Sequence, residues 1–403
     1  MRVVLLVPSF PKLSETFIVS KFLGLLERGW DVYVVCGESR RSEWEHFPEL
    51  RQHAQARQRV RVSWPHRPRW LAVGLAPIAA VRSLGRNPAG LVRYLYRGFR
   101  RLGLDVLRRS YLDAELLQLR PDVIHFEFGA LAVERMYLKE LLGCRVVVSF
   151  RGYDLNVSGL EQPDYYNDVW ANADAIHVLS EALRRRAGER GCPANQRITK
   201  IPPAVDLPEL AYTTLVHREL QPGSPVWILS VGRFTWEKGL EYGLQAVGEL
   251  VKSGVEFQYR MVGEGRELDA VTFIKHHVDQ AIRILQVGTL PPERIREELQ
   301  RADVFLHPAV SEGFCNAVLE AQAMGVPVVC TDAGALPENV IDGVTGFVVP
   351  RRDPRALAEK LALLARDPAL RKRMGEAGRQ RVREHFRIED QIGKFESLYR
   401  SLD

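Results

Sequence analysis

The chain is expected to belong to the α/β class, with two parallel-sheet units in tandem. Its 403 residues exceed what one compact core usually accommodates. Short β-branched runs alternate with amphipathic helical stretches in both halves, the pattern of parallel sheets with crossover helices. Pro202-Pro203 and the polar stretch to Pro225 read as the linker between them. In the first half the pattern predicts strands over 3–7, 32–35, 123–126, 146–149, 175–179 and 198–201. The second half restarts at 226–231 and continues with 257–262, 282–287, 304–306, 328–330 and 347–349, before charged helices from about Arg355. Units of this kind bind ligands at the carboxyl ends of their strands.

Composition bounds the function class. Hydrophobic residues make up 46% and charged residues 26% of the chain, an ordinary balance for a soluble globular protein. The five cysteines (Cys36, Cys144, Cys192, Cys315 and Cys330) are odd in number, widely spread and without a C-x-x-C pair. Reduced thiols in a cytoplasmic protein are the expectation, and a disulfide or zinc framework is not. The apolar run after Met1 is too short for a signal peptide and reads as a first buried strand. No apolar stretch is long enough to span a bilayer.

Charge is unevenly placed. Between Arg57 and Arg109 stand thirteen arginines against one acid, Asp105, a local +12 in a chain whose net charge is +6. Helical spacing puts Arg93, Arg97, Arg100, Arg101 and Arg108 on one face, with Leu95, Phe99, Leu102 and Val106 opposite. Trp64, Trp70, Tyr94 and Tyr96 are interleaved. A basic amphipathic segment with aromatics suits an anionic membrane surface, and a solvated basic face on an ordinary core helix gives the same pattern. Nucleic acid is not expected as a partner, because no binding motif of that kind accompanies the charge.

The most informative string is Ser311-Glu312-Gly313-Phe314-Cys315-Asn316-Ala317-Val318-Leu319-Glu320, continued by Ala321-Gln322-Ala323-Met324-Gly325-Val326-Pro327. On a single helix Glu312 and Glu320 would lie about 12 Å and roughly 80° apart, so they are not one carboxylate pair. Glu312 is expected on a loop at a helix start, and Glu320 inside that helix. A carboxylate accepts two hydrogen bonds from a vicinal diol, and free N–H groups at a helix start favour anionic oxygen. Upstream, Gly232-Arg233-Phe234-Thr235-Trp236-Glu237-Lys238-Gly239 follows one predicted strand and Val262-Gly263-Glu264-Gly265 follows another. There is no G-x-G-x-x-G dinucleotide fingerprint, which counts against a dehydrogenase.

Together these motifs resemble glycosyltransferase family 4, retaining enzymes of the GT-B fold, whose two Rossmann-like parallel-sheet domains face each other across a cleft. The resemblance covers nearly the whole chain and is densest from Val226 to Pro350, where Asp332, Gly334, Glu338 and Asp342-Gly343-x-Thr345-Gly346 continue the family's order. It implies that Arg233 and Lys238 grip a diphosphate, and that Gly263 lies near the nucleotide base. It further implies that Glu320 holds the ribose, and that Glu312 with the N–H groups of Phe314, Cys315 and Asn316 holds the transferred sugar. The implied domains are an acceptor-binding domain over 1–204, a donor-binding domain over 205–385 and a final helix over 386–403 that can cross back.

In the first half, Phe10-Pro11-Lys12-Leu13-Ser14-Glu15-Thr16-Phe17 replaces the paired glycines of many members and is similar to bacterial exopolysaccharide transferases of the colanic-acid type. Ser14 is a candidate N-cap, and Ser14, Glu15 and Thr16 are candidates for acceptor contact, Glu15 equally for a first-turn charge. Where members often carry H-x-H-F and H-G-x-D, this chain has His125-Phe126-Glu127-Phe128 and Arg151-Gly152-Tyr153-Asp154. Glu127 and Arg151 are expected either to pair as a sugar-facing wall, or to leave Arg151 for the diphosphate. Asp154 keeps its family position and is a candidate to orient an acceptor hydroxyl. His307, a lone histidine at a strand end, reads as a structural residue. No metal-ligand spacing is visible, so neither a metal nor a cofactor is expected beyond the nucleoside diphosphate sugar as donor substrate.

The expected activity is retaining, metal-independent transfer of a hexose to an acceptor hydroxyl. A lipid-linked glycan in cell-surface polysaccharide synthesis is the expected acceptor, and the inner membrane face the expected location. A nucleotide-sugar 2-epimerase and a non-catalytic assembly partner of the same architecture remain as alternatives.

Overall fold

A computed structural model describes residues 1–63, 68–205, 224–278 and 283–402. Trp64, Arg67, Ile282 and most of the expected linker lie outside the described residues. The chain separates into two compact units. The first holds Met1–Val178, Arg184–Ile201 and the described residues from Ile392 on; the second holds Leu179–Leu183 and Pro202–Gln391.

The first unit is built on seven parallel strands: β1 Arg2–Ser9, β2 Asp31–Glu38, β3 Val60–Val62, β4 Val123–Phe126, β5 Arg145–Phe150, β6 Ala175–Val178 and β7 Ile198–Lys200. Their order is β3-β2-β1-β4-β5-β6-β7. In the second unit β8 Val226–Val231, β9 Phe257–Val262, β10 Ile284–Gly288, β11 Val304–His307, β12 Val328–Thr331 and β13 Gly346–Val349 run β10-β9-β8-β11-β12-β13, again all parallel. Near-continuous Val/Ile/Leu runs such as Val3-Val4-Leu5, fully buried, mark strands covered on both faces. Both sheets reverse direction of growth once, between β1 and β4 and between β8 and β11. Crevices outside strand carboxyl ends at such reversals are where open α/β sheets bind ligands.

The expected strands form, and β3 is an addition. It is three residues long, lies at the sheet edge and carries Arg61 in its middle, so its pattern is too short to stand out. The basic stretch is corrected. Helix Pro88–Leu102 stops at Gly103, whose φ of 58° breaks the helix, and a separate helix Asp105–Leu112 follows. Arg108 and Val106 therefore do not share a helical face with Arg93 and Phe99. The buried side of Pro88–Leu102 is Leu91, Tyr94 and Gly98, while Phe99 stays 45% exposed. Tyr94 is a core residue, its hydroxyl donating to Asp113 at 2.8 Å. No helix among the described residues is long and apolar enough to cross a membrane.

Candidate functional site

In the second unit the loops after β8 and β11 are locked together by backbone. The carbonyl of Glu237, in the short helical turn Trp236–Lys238, accepts from the N–H groups of Val310 (2.9 Å) and Ser311 (3.2 Å). On the far side the Glu312 carbonyl accepts from Ala335 N–H at 3.1 Å. The approach there is so close that a Cβ on Gly334 would meet that carbonyl oxygen at 1.9 Å, and its φ of 55° also requires glycine. Gly263 is held in the same way, with φ 135° and the Gly232 carbonyl 1.9 Å from where a Cβ would be. Its glycine identity is thus explained by strand-end packing.

This frame sets one carboxylate among cations. Lys238 Nζ donates to Glu312 Oε2 at 2.5 Å, and His307 Nε2 lies 3.1 Å from the same oxygen. Gly313 N–H donates to Glu312 Oε1 at 3.2 Å. Burial opposes ionisation of Glu312, but the charges and hydrogen bonds of Lys238 and His307 prevail and hold it down at about 2. Burial likewise works against the charge on His307, while neighbouring Cys315 and Glu312 raise it to about 9. Lys238 is desolvated too, yet Glu312 raises it. Arg233 is exposed, makes no side-chain hydrogen bond or ion pair among the described residues, and lines one recess with Lys238 and His307. The Lys238 ammonium and the Arg233 guanidinium outnumber the Glu312 carboxylate, so this strand end is net positive.

The helix Asn316–Ala323 starts just beyond, as expected. Of its three candidate N–H donors, that of Cys315 is taken by Asn339 Oδ1 at 3.1 Å. Those of Phe314 and Asn316 have no protein acceptor among the described residues. Glu320 lies one turn into the helix, on the same face as Asn316. Its carboxylate has no hydrogen-bond partner among the described residues, and burial raises its pKa against the distant pull of Arg296. Glu338 serves elsewhere in the unit, accepting from Glu181 and Ala182 N–H groups at 3.0 Å each, beside Ser180, whose hydroxyl donates to the Gly313 carbonyl at 3.1 Å.

His307 is the residue that sequence reasoning placed outside the site. The available signal was its position at the end of a strand, five residues before Glu312. The fold also makes a donor set that linear spacing did not show. One atom each from His307, Glu312 and Cys315 falls within 4.8 Å of the others.

In the first unit the expected Glu127–Arg151 pair exists, with Arg151 Nη2 donating to Glu127 Oε2 at 3.0 Å and Nε to the Glu127 carbonyl at 3.0 Å. A third member was not expected: Lys21, from helix Thr16–Glu27, donates to Glu127 Oε1 at 2.5 Å. Burial dominates the Lys21 shift and brings it down to about 8 despite Glu127. Glu127 itself has no exposed surface, so only Arg151, stacked on the Phe17 ring at 3.9 Å, can present charge outward. Behind them runs a buried relay. His177 Nε2 donates to the Ile201 carbonyl, so its Nδ1 accepts from Ser149, whose oxygen accepts from His125 Nε2. That leaves His125 Nδ1 to accept from Lys21 at 3.0 Å and from Tyr399, on the chain's last helix, at 2.7 Å. His125 is held neutral, first by burial and then by the Lys21 charge.

Two expectations in this unit are corrected. Asp154 does not face a ligand: it is 2% exposed, and its oxygens accept from Ala130 N–H (3.0 Å) and Arg151 N–H (2.9 Å), tying two loops together. Ser14 is not an N-cap, because a 3-10 turn over Leu13–Glu15 precedes helix Thr16–Glu27 and the cap position falls on Glu15 without a side-chain bond. Glu15 stands at the helix start as a first-turn charge, as one of its two expected readings has it. It pairs with Lys12 at 2.7 Å, and its other oxygen is buried without a partner among the described residues. Ser14 is exposed and Thr16 half-buried at the same loop.

Comparison with known proteins places these two strand ends in context. Residues 14–209 match the family described as Glycosyltransferase Family 4, and residues 214–381 match Glycosyl transferases group 1. A Salmonella typhimurium protein assigned to colanic acid biosynthesis as a glycosyltransferase, WcaL, is 29% identical across 91% of each chain. The amylovoran biosynthesis glycosyltransferase AmsK of Erwinia amylovora is 30% identical across 61% of each. Among solved structures, Anabaena Alr3699/HepE in complex with UDP and glucose matches with a TM-score of 0.72 at 16% identity over all of both chains. The sucrose-phosphate synthase of Thermosynechococcus elongatus gives 0.71 at 19% identity, over 100% of this chain and 99% of that one. At such identities the structural likeness speaks for the fold, two Rossmann-like domains of the GT-B type. With its two halves matched in this order, the chain belongs to the family 4, group 1 glycosyltransferases.

Proposed function

We propose that the protein is a retaining, metal-independent hexosyltransferase that takes its sugar from a nucleoside diphosphate donor and passes it to an acceptor hydroxyl in exopolysaccharide synthesis. The observation that carries this reading is the net-positive cluster of Arg233, Lys238 and His307 at the strand end that holds Glu312, followed eight residues on by Glu320, whose carboxylate has no hydrogen-bond partner among the described residues. Loss of a nucleoside diphosphate builds negative charge on the leaving oxygens. Preorganised cations in a partly desolvated site stabilise that charge without reorganising. Arg233 offers a fork for two phosphate oxygens and Lys238 a point charge. Glu320, lacking a partner, is left to accept from a ribose diol. Glu312, fixed by three donors, would face the sugar together with the N–H groups of Phe314 and Asn316. Attack on the face that the leaving group vacates, with the departing phosphate taking the acceptor proton, needs no separate protein base.

The acceptor is proposed to be a lipid-linked glycan reached at an anionic membrane surface, in line with the names of the colanic acid and amylovoran relatives. A thermal-shift panel of UDP, GDP, ADP and dTDP with their sugars, run without added metal, tests the donor assignment. A ligand at ~100 times its Kd adds roughly 2.7 kcal/mol to stability. A response to one base supports the reading and fixes the nucleotide. A response that needs magnesium removes metal independence, and no response to any of them removes the donor site.

A further inference from the structure

Helix Asn316–Ala323 begins without a capping side chain of its own. Cys315 stands at the cap position and makes no side-chain cap bond, where a serine, threonine, aspartate or asparagine would accept from the first N–H groups. The cap residue is held from elsewhere. Asn339, the last residue of the helical turn Leu336–Asn339, is fully buried and sets its amide against the Cys315 backbone. Its Oδ1 accepts from Cys315 N–H at 3.1 Å, and its Nδ2 donates to the Cys315 carbonyl at 3.2 Å. In this orientation one amide meets a backbone donor and a backbone acceptor at once. The Asn339 carbonyl in turn accepts from Gln322 Nε2 at 3.0 Å, in the last turn of the same helix. One residue thus grips both ends of helix Asn316–Ala323. The segment around this turn also pins the loop a second time, where Ala335 N–H donates to the Glu312 carbonyl at 3.1 Å.

Glu312 and Cys315 are therefore fixed at either end of Gly313-Phe314. The Phe314 N–H between them, and the Asn316 N–H just beyond, have no acceptor among the described residues. From this arrangement we infer that Asn339 is a positioning residue for sugar transfer. By occupying both polar groups of the Cys315 backbone, it holds the neighbouring N–H groups of Phe314 and Asn316 in register with Glu312, aimed at the transferred sugar and its departing phosphate. Fully buried, it acts through this backbone and does not touch the donor. Donors that stabilise a transition state act only from a narrow range of positions, and a misplacement of about 1 Å can cost a hundredfold in rate. A leucine of similar size would fill the space, yet would leave a buried N–H and a buried carbonyl with one partner fewer each. The inference rests on the donor site proposed above and adds what keeps its N–H groups in place.

The test measures kcat and donor KM on the nucleotide sugar that responds in the thermal-shift panel, read as release of its nucleoside diphosphate in water. Asn339→Ala is expected to lower kcat about 10- to 100-fold. Donor KM should stay within about twofold, because Arg233, Lys238 and Glu320 are untouched. A merely structural role would lower the melting temperature and leave kcat per folded molecule unchanged. That outcome overturns the inference, and so does a rise in KM at constant kcat. Asn339→Asp gives a second readout. Ionised, the new carboxylate can accept from Cys315 N–H but has no hydrogen for the Cys315 carbonyl; protonated, it restores both bonds. Burial favours the protonated form. The kcat of this variant, as a ratio to that of the unaltered chain, should therefore be low at about pH 8 and climb several-fold towards one by about pH 5.5. Taking the ratio cancels the titration of Glu312, His307 and Cys315, which both proteins share. A ratio that stays low throughout, in a variant folded by circular dichroism, overturns the inference even if Asn339→Ala does not fold. An unaltered chain that neither responds to any nucleotide sugar nor releases nucleotide removes the donor reading itself.

Discussion

Glu127 and Glu312 hold corresponding places in their two sheets. Each follows the first strand past the reversal, β4 or β11, and each is set between two basic groups. Their surroundings differ. The side chains of Lys21 and Glu127 are 3% and 1% exposed, whereas Lys238 and Glu312 keep 17% and 11%. The first cluster is flanked by aromatic rings, with Phe395 3.8 Å from the Lys21 ammonium and Phe17 over Arg151, and only Arg151, 14% exposed, reaches the surface. The second shares its recess with the exposed Arg233. One arrangement of charges has two settings: with its carboxylate and lysine buried, it ties β4, β5 and the chain's last helix together; with both partly exposed, it lies beside the exposed Arg233.

The sharpest way to break this comparison is to remove the carboxylate from the buried cluster. Glu127→Ala leaves Lys21 and Arg151 without a counter-charge in a buried site and is expected to cost roughly 3–5 kcal/mol of stability, measured by urea unfolding. A loss below about 1 kcal/mol, the range of surface pairs, would mean that the cluster is hydrated and that the contrast drawn here does not hold.

Removal of the second cluster's cation should act on catalysis instead. Lys238→Ala is expected to lower turnover by roughly 100- to 1,000-fold, with a smaller stability loss than Glu127→Ala, because His307 still faces Glu312. Glu312→Ala should likewise depress kcat more than it changes donor KM. Donor binding and turnover untouched by Lys238→Ala would remove this residue from the site.

How far the sequence revealed these clusters follows from distance along the chain. Arg151 and Glu127 could be paired in advance because both stand at the ends of strands expected to be neighbours. Lys21 could not, since within Thr16–Glu27 it looks like any surface lysine, and only packing of that helix on the sheet brings it to Glu127. His307 reads as structural in the sequence and is buried and hydrogen-bonded; its bond to Glu312 carries no signal until the loop after the strand folds back. Asp154 was assigned outward from its family position, whereas the hydrogen-bond demand of two loop N–H groups turned it inward. The strands themselves were legible because buried parallel strands are written as unbroken apolar runs. β3 and the break at Gly103 were missed for the opposite reason, a three-residue edge strand and one glycine inside a basic stretch.

Alkaline titration sharpens the contrast, because the two clusters move in opposite directions. His307 is raised from 6.5 to about 9 on folding. Its contribution is therefore full below pH 6.5 and is lost as pH rises through 9. Lys21 is lowered from 10.5 to about 8. Between these values the unfolded chain binds more protons than the folded one, so this residue makes stability rise with pH. Unfolding free energies measured from pH 6 upward should show both limbs. His307→Gln should abolish the decline between 6.5 and 9, and Lys21→Met should abolish the rise above 8. A variant that leaves the profile unchanged would exclude its residue as the titrating group.

The smallest expected effect is the most diagnostic of purpose. Glu320 is a largely desolvated carboxylate without a hydrogen-bond partner among the described residues, and burial raises its pKa. Such a group costs stability unless something hydrogen-bonds to it. Glu320→Gln removes the charge and keeps an acceptor oxygen, so the free protein should be unchanged or more stable by up to about 1 kcal/mol. Donor KM should rise several-fold, since a neutral amide accepts more weakly from a diol than a carboxylate does, while kcat stays nearly constant. This opposition of signs separates a ligand-facing carboxylate from a structural one: at Glu127 removal of the charge should only destabilise, whereas at Glu320 it should stabilise the empty protein and weaken the filled one. If Glu320→Gln destabilises the protein and leaves donor KM unchanged, Glu320 belongs with Glu127, and the ribose must be held by another residue.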